Sequence, residues 1–176
     1  LYNIVVCSIS DPVEVNMGRV IFWPRGINFG GYVRVLKDPA IIRSFFNTIK
    51  IMVLGTAINI FLTVPTGYAL SRKDLKGNKY ILWIYLFTMF FSGGLIPTFL
   101  VVQSLGLMDT YLAVVLPGAM SVWNMIVCRT FFKSNLSDEV LESAYIDGAG
   151  EIRTFLQIAL PLSKTIVALM VFYYSI

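Results

Sequence analysis

The acidic side chains are the residues of this sequence best suited to chemistry, and they are unevenly distributed. Half of the ten Asp and Glu residues lie in one short stretch, at Asp138, Glu139, Glu142, Asp147 and Glu151. Carboxylates can serve as general acids and bases or make charged contacts with another protein. The chain contains no histidine, and no constellation of nucleophile and base appears. The residue types therefore indicate no catalytic pairing in this stretch, and a membrane enzyme is the least favoured function.

The sequence also excludes several other chemical sites. Cys7 and Cys128 lie in apolar surroundings without a CxxC pattern, so metal sites of the Cys/His kind are ruled out. The GxxxxGK(S/T) loop that binds nucleotide phosphates does not occur. The basic residues are spread along the chain, so no nucleic-acid partner is implied. We expect no catalytic residue, no metal site and no cofactor bound by this chain itself.

The acidic stretch is predicted to fold as two short helices joined by a turn, and we call residues 137–161 the elbow. Ser137 is a favourable N-cap, and the acids after it lie where the helix dipole favours negative charge. An apolar stripe recurs at helical spacing through Val140, Leu141, Ala144 and Tyr145. The pattern predicts a first helix with one apolar stripe, beside which the carboxylates of Glu142 and Asp147 lie.

A turn and a second helix complete the predicted elbow. Gly148 stands where the first helix should end, and with Gly150 it permits the positive φ angles of a sharp reversal. A second helix is predicted from about Glu151, and we expect Pro161 to stop it. Its apolar positions are Ile152, Phe155, Leu156 and Ile158. Periodicity alone leaves two interpretations open: such an elbow covers a helix bundle at the membrane surface, or it binds a partner.

The composition places these elements in a membrane protein. Hydrophobic residues make up 57% of the chain and charged residues 14%, whereas soluble domains have about 45–50% and about 25%. So few charges cannot cover a surface that faces water. Intrinsic disorder is excluded, since it requires low hydrophobicity and high net charge, and a free-standing soluble enzyme is disfavoured.

The uncharged stretches divide the chain into predicted membrane spans. We expect the end of a first span at 1–10, an outer segment at 11–44, complete spans at 45–70, 80–100 and 111–128, a loop at 129–164 and the start of a further span at 165–176. A chain of this kind would be truncated at both ends. Glycine and proline at Gly93, Gly94 and Pro97 predict a kink or break in the second complete span.

Basic residues predict the orientation of the spans. The short loop 71–79 contains Arg72, Lys73, Lys76 and Lys79 against one acid, Asp74. The positive-inside rule puts such a loop in the cytoplasm, and alternation then puts residues 129–164 there as well. Aromatic residues in the outer segment favour an interfacial loop, and a docking surface for an extracytoplasmic partner is the alternative.

The spacing of residues within the elbow resembles the EAA signature of permease subunits of binding-protein-dependent ABC importers. That signature reads E-A-A, three residues, G, nine residues, I-x-L-P. This chain has Glu142, Ser143, Ala144, Gly148, Ile158, Leu160 and Pro161 at those positions, and Asp147 and Ala149 match the common D-G-A form. Ser143 is the one departure. Most of the chain is similar to the carbohydrate-uptake class of these permeases, particularly its oligosaccharide branch.

The resemblance implies a fold, a set of partners and a site. The fold would be an all-α polytopic transmembrane helix bundle of the MetI-like, type I importer kind. The chain would pair with a second permease subunit, with two ATP-binding subunits that use ATP and Mg²⁺, and with an extracytoplasmic solute-binding protein. Residues 142–149, including Tyr145, would form the coupling helix and turn that contact the ATPase in the cytoplasm. The location implied is the bacterial plasma membrane.

The substrate path is less visible, and other functions stay open. Asn59 and Asn124 are polar residues in the uncharged interiors of the spans and are candidates to contact the hydroxyls of a sugar, although such amides often bond to a neighbouring helix instead. One alternative function is an ion-coupled secondary transporter, but the span interiors lack the Asp, Glu or His relays of such proteins. Another is a membrane scaffold that transports nothing.

Overall fold

The computed structural model describes residues 1–176, and every regular element in it is helical. The helices are α1 Tyr2–Ser8, α2 Pro12–Asn16, α3 Gly30–Lys37, α4 Pro39–Ser71, α5 Asn78–Phe90, α6 Leu95–Ser104, α7 Tyr111–Val115, α8 Val122–Asn135, α9 Asp138–Ile146, α10 Glu151–Thr154, α11 Leu160–Leu162 and α12 Lys164–Ser175. A 3₁₀ turn, Leu116–Gly118, follows α7, and a π-helical segment, Phe155–Ala159, joins α10 to α11. The predicted all-α class is confirmed.

The chain divides into two units, residues 1–49 and 50–176. In the first unit, Asp11 caps α2 by accepting a hydrogen bond from the Val13 backbone N–H at 2.8 Å. The backbone N–H of Asp11 donates to the carbonyl of Arg25 at 2.9 Å, and that of Asn28 donates to Ile9 at 2.9 Å. These two bonds hold the irregular segment that follows α2 against the end of α1.

Helix α4 begins at Pro39, earlier than the predicted span start at residue 45. The Asp38 carboxylate accepts a hydrogen bond from the Ala40 backbone N–H at 2.9 Å, and proline is favoured in the first helical turn. Both features start the helix before the uncharged stretch begins. Pro65 lies within α4 without ending it.

By length and apolarity, α4 alone among the helices could cross a membrane unaided. Three bent pairs reach that length and apolarity only when each pair is taken as one broken span. The pairs are α5 with α6, bent by 117°, residues 111–118 with α8, bent by 56°, and residues 151–162 with α12, bent by 81°. The first of these breaks lies where Gly93 and Gly94 predicted it, and Gly94 has φ 87°. The assignment of spans to a bilayer stays a prediction.

The core of the second unit lies where α4, α8, the π-helical segment and α12 meet. Its buried members are Val64, Tyr68, Cys128, Phe132, Leu136, Ala159, Ile166 and Met170. Gly67 allows α4 and α8 to approach closely, because a Cβ there would lie 2.9 Å from both Cβ and Sγ of Cys128. The rings of Tyr68 and Phe132 meet edge to face with centroids 5.5 Å apart. This core supports the elbow.

The second arm of the elbow ends at Leu162, within one residue of the predicted end at Pro161. A π-helical segment, which the sequence did not predict, precedes the proline. The expectation about Gly150 is wrong. Gly150 has φ −76° and ψ 168°, an extended conformation open to any residue, so it does not share in the reversal. It is instead the N-cap of α10.

Candidate functional site

The first helix of the elbow, α9, turns its polar side outward. Ser137 caps it as predicted, accepting a hydrogen bond from the Val140 backbone N–H at 3.4 Å. Leu141 and Ala144 are buried, with 7% and 4% of their surface exposed. Glu142, Ser143, Ile146 and Asp147 are all exposed. Ile146, exposed beside two carboxylates, gives α9 an outward face that combines charge with apolar surface. Val140 of the predicted apolar stripe is exposed as well.

The turn after α9 depends on Gly148. Its φ angle is +77°, and its backbone N–H donates to the carbonyl of Tyr145 at 3.0 Å. The Ala149 N–H donates to the carbonyl of Ala144 at 2.9 Å. These two bonds form a Schellman motif, in which a left-handed residue satisfies the last carbonyls of a helix. The predicted reversal at Gly148 is confirmed.

The second arm of the elbow reaches into the core. Ala159 is fully buried in the cluster of the second unit, while its neighbours Ile158 and Leu160 are half-buried and Pro161 is exposed. The ring of Phe155 lies 5.0 Å from that of Tyr68 on α4. The residues that match the signature therefore fall into two groups. Those between positions 142 and 149 include the exposed residues of α9, and those between positions 158 and 161 lie on either side of the core residue Ala159.

A polar cluster, which the sequence did not predict, links the elbow to the loop after α4. Arg72 Nη2 donates to the Tyr145 hydroxyl at 2.9 Å, and that hydroxyl donates to Glu151 Oε1 at 2.7 Å. Arg72 also donates from Nε and Nη2 to the two oxygens of Asp74 at 3.0 and 2.9 Å. Its guanidinium carbon lies 5.4 Å from the centre of the Tyr145 ring. The sequence predicts Arg72 as a charge of the basic loop and Tyr145 as part of an apolar stripe and of the coupling helix, so no sequence signal joins the two residues.

The cluster shifts the pKa values of its members. Burial, together with the hydrogen bond to Glu151, raises the pKa of Tyr145 to about 12. The hydrogen bond from Arg72 lowers the pKa of Asp74 below its usual range. For Arg72, burial acts to lower the pKa, but the hydrogen bond to Asp74 and nearby groups outweigh it and raise the pKa. The phenol therefore keeps its proton at neutral pH, and the guanidinium and the Asp74 carboxylate keep their charges.

A groove of about 700 Å³ opens beside α9. Residues 71–74 form one wall, and residues 132–138 with one face of α9 form the rest. Lys73 and Asp138 form an ion pair within it, with side chains 73% and 59% exposed. Exposed ion pairs of this kind stabilise a structure by roughly 0–1 kcal/mol, so the pair is a weak link between the loop and α9.

The two asparagines predicted for the substrate path have different surroundings. With its amide nitrogen turned toward the nearest carbonyls, Asn59 donates to Ala119 O at 2.8 Å and to Gly55 O at 3.2 Å. Asn124 is half-buried on the first turn of α8, where its backbone N–H donates to Ser121 Oγ at 3.4 Å. Its side-chain amide has no hydrogen-bond partner within the chain. A role in contacting substrate stays a prediction for both, and Asn59 already has a structural use.

Comparisons with known proteins give a consistent result. Residues 40–176 match the family described as the binding-protein-dependent transport system inner membrane component. The chain is 40% identical over 173 residues to Protein LplC of Bacillus subtilis strain 168, an alignment that covers 98% of this chain and 58% of LplC. It is 37% identical over 174 residues to the polygalacturonan/rhamnogalacturonan transport system permease protein YtcP of the same organism, covering 99% of this chain and 60% of YtcP.

A solved structure is also closely similar. It is the crystal structure of a bacterial ABC transporter involved in the import of the acidic polysaccharide alginate. The match has a TM-score of 0.93 and 34% sequence identity, and it covers 99% of this chain and 62% of that one. The chain thus spans about three fifths of the length of these relatives. YtcP is named a permease protein, and none of the three is named as an enzyme.

Proposed function

Because the chain belongs to the family of binding-protein-dependent transport system inner membrane components, we propose that it is a permease subunit of an ATP-driven ABC importer for sugars or oligosaccharides. The observation that carries the proposal is the geometry of the elbow. A capped helix with exposed Glu142 and Asp147 ends in a glycine turn at the spacing of the EAA signature.

The partners of the proposed importer follow from the family. A second permease subunit lines the translocation path together with this chain. Two ATP-binding subunits lie below, using ATP and Mg²⁺, and a solute-binding protein delivers the substrate from outside. The protein lies in the bacterial plasma membrane with several spans, and the elbow lies on the cytoplasmic side. The basic loop 71–79 supports this orientation.

The elbow has the form needed to transmit motion from an ATPase to the spans. Glu142 and Asp147 contact the ATPase through charged groups, and Ile146, with 86% of its surface exposed, supplies an apolar contact beside them. The other arm is fixed in the core at Ala159. Closure of the ATPase dimer on ATP moves α9, and the second arm transmits that movement to the helices of the core. ATP can drive this change only by favouring one conformation of the complex over the other.

The names of the relatives guide the choice of substrate. YtcP is named for polygalacturonan and rhamnogalacturonan transport, and the solved structure for the import of alginate. We therefore propose oligosaccharides prepared from these polysaccharides as the first substrates to assay, with neutral oligosaccharides as comparators. Substrates are best identified by thermal-shift measurements on the cognate solute-binding protein, because that protein selects the ligand.

Site-directed photocrosslinking tests the proposed contact. The full-length chain is expressed with its partner subunits, and p-benzoylphenylalanine replaces Ile146. We expect illumination to join this position covalently to an ATP-binding subunit. Replacement of Trp23, which is 78% exposed in the outer segment, is the matched control and should give no such adduct. Equal adducts from both positions, or none with an ATPase from position 146, would contradict the proposal.

A further inference from the structure

One phenol oxygen joins three segments of the second unit. Tyr145 lies in the last turn of α9, Glu151 is the first residue of α10, and Arg72 directly follows α4. The Tyr145 hydroxyl accepts from Arg72 at 2.9 Å and donates to Glu151 at 2.7 Å. Both arms of the elbow are therefore bonded to the end of α4 through a single atom.

The same end of α4 is held firmly by other helices. Arg129 Nε of α8 donates to the carbonyl of Leu70 at 2.8 Å. Asn78 Nδ2, at the start of α5, donates to the carbonyls of Leu70 and Arg72 at 2.9 and 2.8 Å. These bonds satisfy carbonyls that the end of a helix leaves free. The guanidinium of Arg72 thus projects toward the elbow from a fixed base.

The chemistry of the cluster suits a rigid connection. The Arg72 side chain is only 12% exposed, so its hydrogen bonds are partly shielded from water. Its two-pronged bond to Asp74 fixes the plane of the guanidinium. Because the pKa of Tyr145 is raised to about 12, the hydroxyl carries at neutral pH the proton that it donates to Glu151. Phenylalanine would preserve the ring against Arg72 but could neither accept nor donate these two bonds.

We propose that Tyr145, with Arg72 and Glu151, is a positioning joint that holds both arms of the elbow to the end of α4, so that a displacement of α9 moves α4 with it. The inference rests on the proposed importer function and names the residues through which motion reaches α4. Tyr145 is a positioning residue in this scheme, since it acts through its two partners.

The experiment measures coupling in the assembled importer. The full-length chain is reconstituted in proteoliposomes with its partner permease, ATPases and binding protein, and oligosaccharide uptake is divided by ATP hydrolysed. Tyr145→Phe should lower this ratio by about 2- to 30-fold, the range found for residues that modulate coupling between sites. Glu151→Ala should also lower it. The double variant should be no worse than Tyr145→Phe alone, because that change already removes both bonds.

Two further variants distinguish the proposed positioning role of the Tyr145 hydrogen bonds from a general contribution to the stability of the elbow. Glu151→Gln keeps an oxygen that can accept from the Tyr145 hydroxyl, so it should restore most of the ratio lost in Glu151→Ala. Lys73→Ala is the matched control, because it removes the exposed ion pair that links the same loop to α9 and should leave the ratio unchanged.

Each outcome decides the inference in one direction. Unchanged coupling in Tyr145→Phe, additive losses in the double variant, or failure of Tyr145→Phe to assemble with the ATPases would overturn it. Glu151→Gln as damaging as Glu151→Ala would also overturn it. If the wild-type complex itself shows no ATP hydrolysis stimulated by the binding protein, the proposed function fails instead, and the two failures are distinguishable.

Discussion

Substitution of Gly148 should damage coupling in a graded order set by backbone conformation alone. Gly148 has φ +77°, and a Cβ built there meets no atom within 4 Å. Steric crowding within the chain is therefore absent, and the cost of a side chain to the folded chain is that of the left-handed conformation itself. That cost is roughly 1–2 kcal/mol for a residue other than glycine, and it is larger for a β-branched residue.

The magnitude translates into a measurable loss. A cost of about 1–2 kcal/mol reduces the population of the native turn by roughly 5- to 30-fold relative to other backbone conformations of the same segment. Asparagine tolerates the left-handed region best among the other residues, and valine tolerates it poorly. We expect uptake per ATP in reconstituted vesicles to be highest for Gly148→Asn, lower for Gly148→Ala and lowest for Gly148→Val. Membrane insertion should be preserved in each variant.

The chain offers a matched control two residues away. Gly150 also has open space around its Cβ, but its φ is −76° and it serves as an N-cap. Serine is a preferred N-cap and adopts this conformation without strain, so Gly150→Ser should behave as wild type. Normal transport by Gly148→Val with a full complement of ATPase, or a Gly150→Ser variant as damaging as Gly148→Ala, would contradict this prediction.

Further predictions concern packing, the substrate path and pH. Gly67→Ala should lower the thermal unfolding temperature of the complex, at a cost of about 1–3 kcal/mol, because the new Cβ would lie 2.9 Å from the side chain of Cys128. Gly55→Ala is the control and should be tolerated, because its Cβ would lie 3.8 Å from Val115. Asn59→Ala should lower the unfolding temperature, because it removes the hydrogen bond to the Ala119 carbonyl in the turn before α8. Asn124→Ala should instead raise the KM of uptake. The reverse pattern would contradict both assignments. Because the pKa of Asp74 is lowered from 3.8 by its arginine partner, its contribution to stability should be present above that pH and disappear as the pH falls through the lower folded value. Unfolding curves of wild type and Asp74→Asn should therefore differ at pH 6 and converge in acid, and a difference that grows in acid would be inconsistent with this sign.

The sequence predicted the elements of the elbow well where local rules decide them. Ser137 and Gly148 have side-chain and backbone preferences that act within a few residues, so the N-cap and the reversal could be foreseen. Gly150 differs from the expectation because glycine permits more than one conformation, and its position as the N-cap of α10 selects the extended one. The π-helical segment before Pro161 likewise has no signal in the local pattern.

The polar cluster at Tyr145 could not be predicted, because its members are far apart in the chain. Arg72 and Tyr145 come together only because α4, α8 and the second arm of the elbow pack into one core. A tyrosine on an apolar stripe and an arginine in a basic loop each have an ordinary explanation in the sequence. Only the fold reveals that one hydroxyl bonds to both the loop and the start of α10.

The most direct test of the account is the energy source of uptake. Proteoliposomes containing the full-length chain with its partner permease, ATPases and solute-binding protein are supplied with labelled oligosaccharide, and uptake is measured with and without ATP. We expect uptake that requires both ATP and the binding protein and that persists after proton and sodium gradients are collapsed with ionophores. Uptake driven by an ion gradient without ATP, or ATP hydrolysis that moves no oligosaccharide in the presence of a binding protein loaded with it, would contradict it.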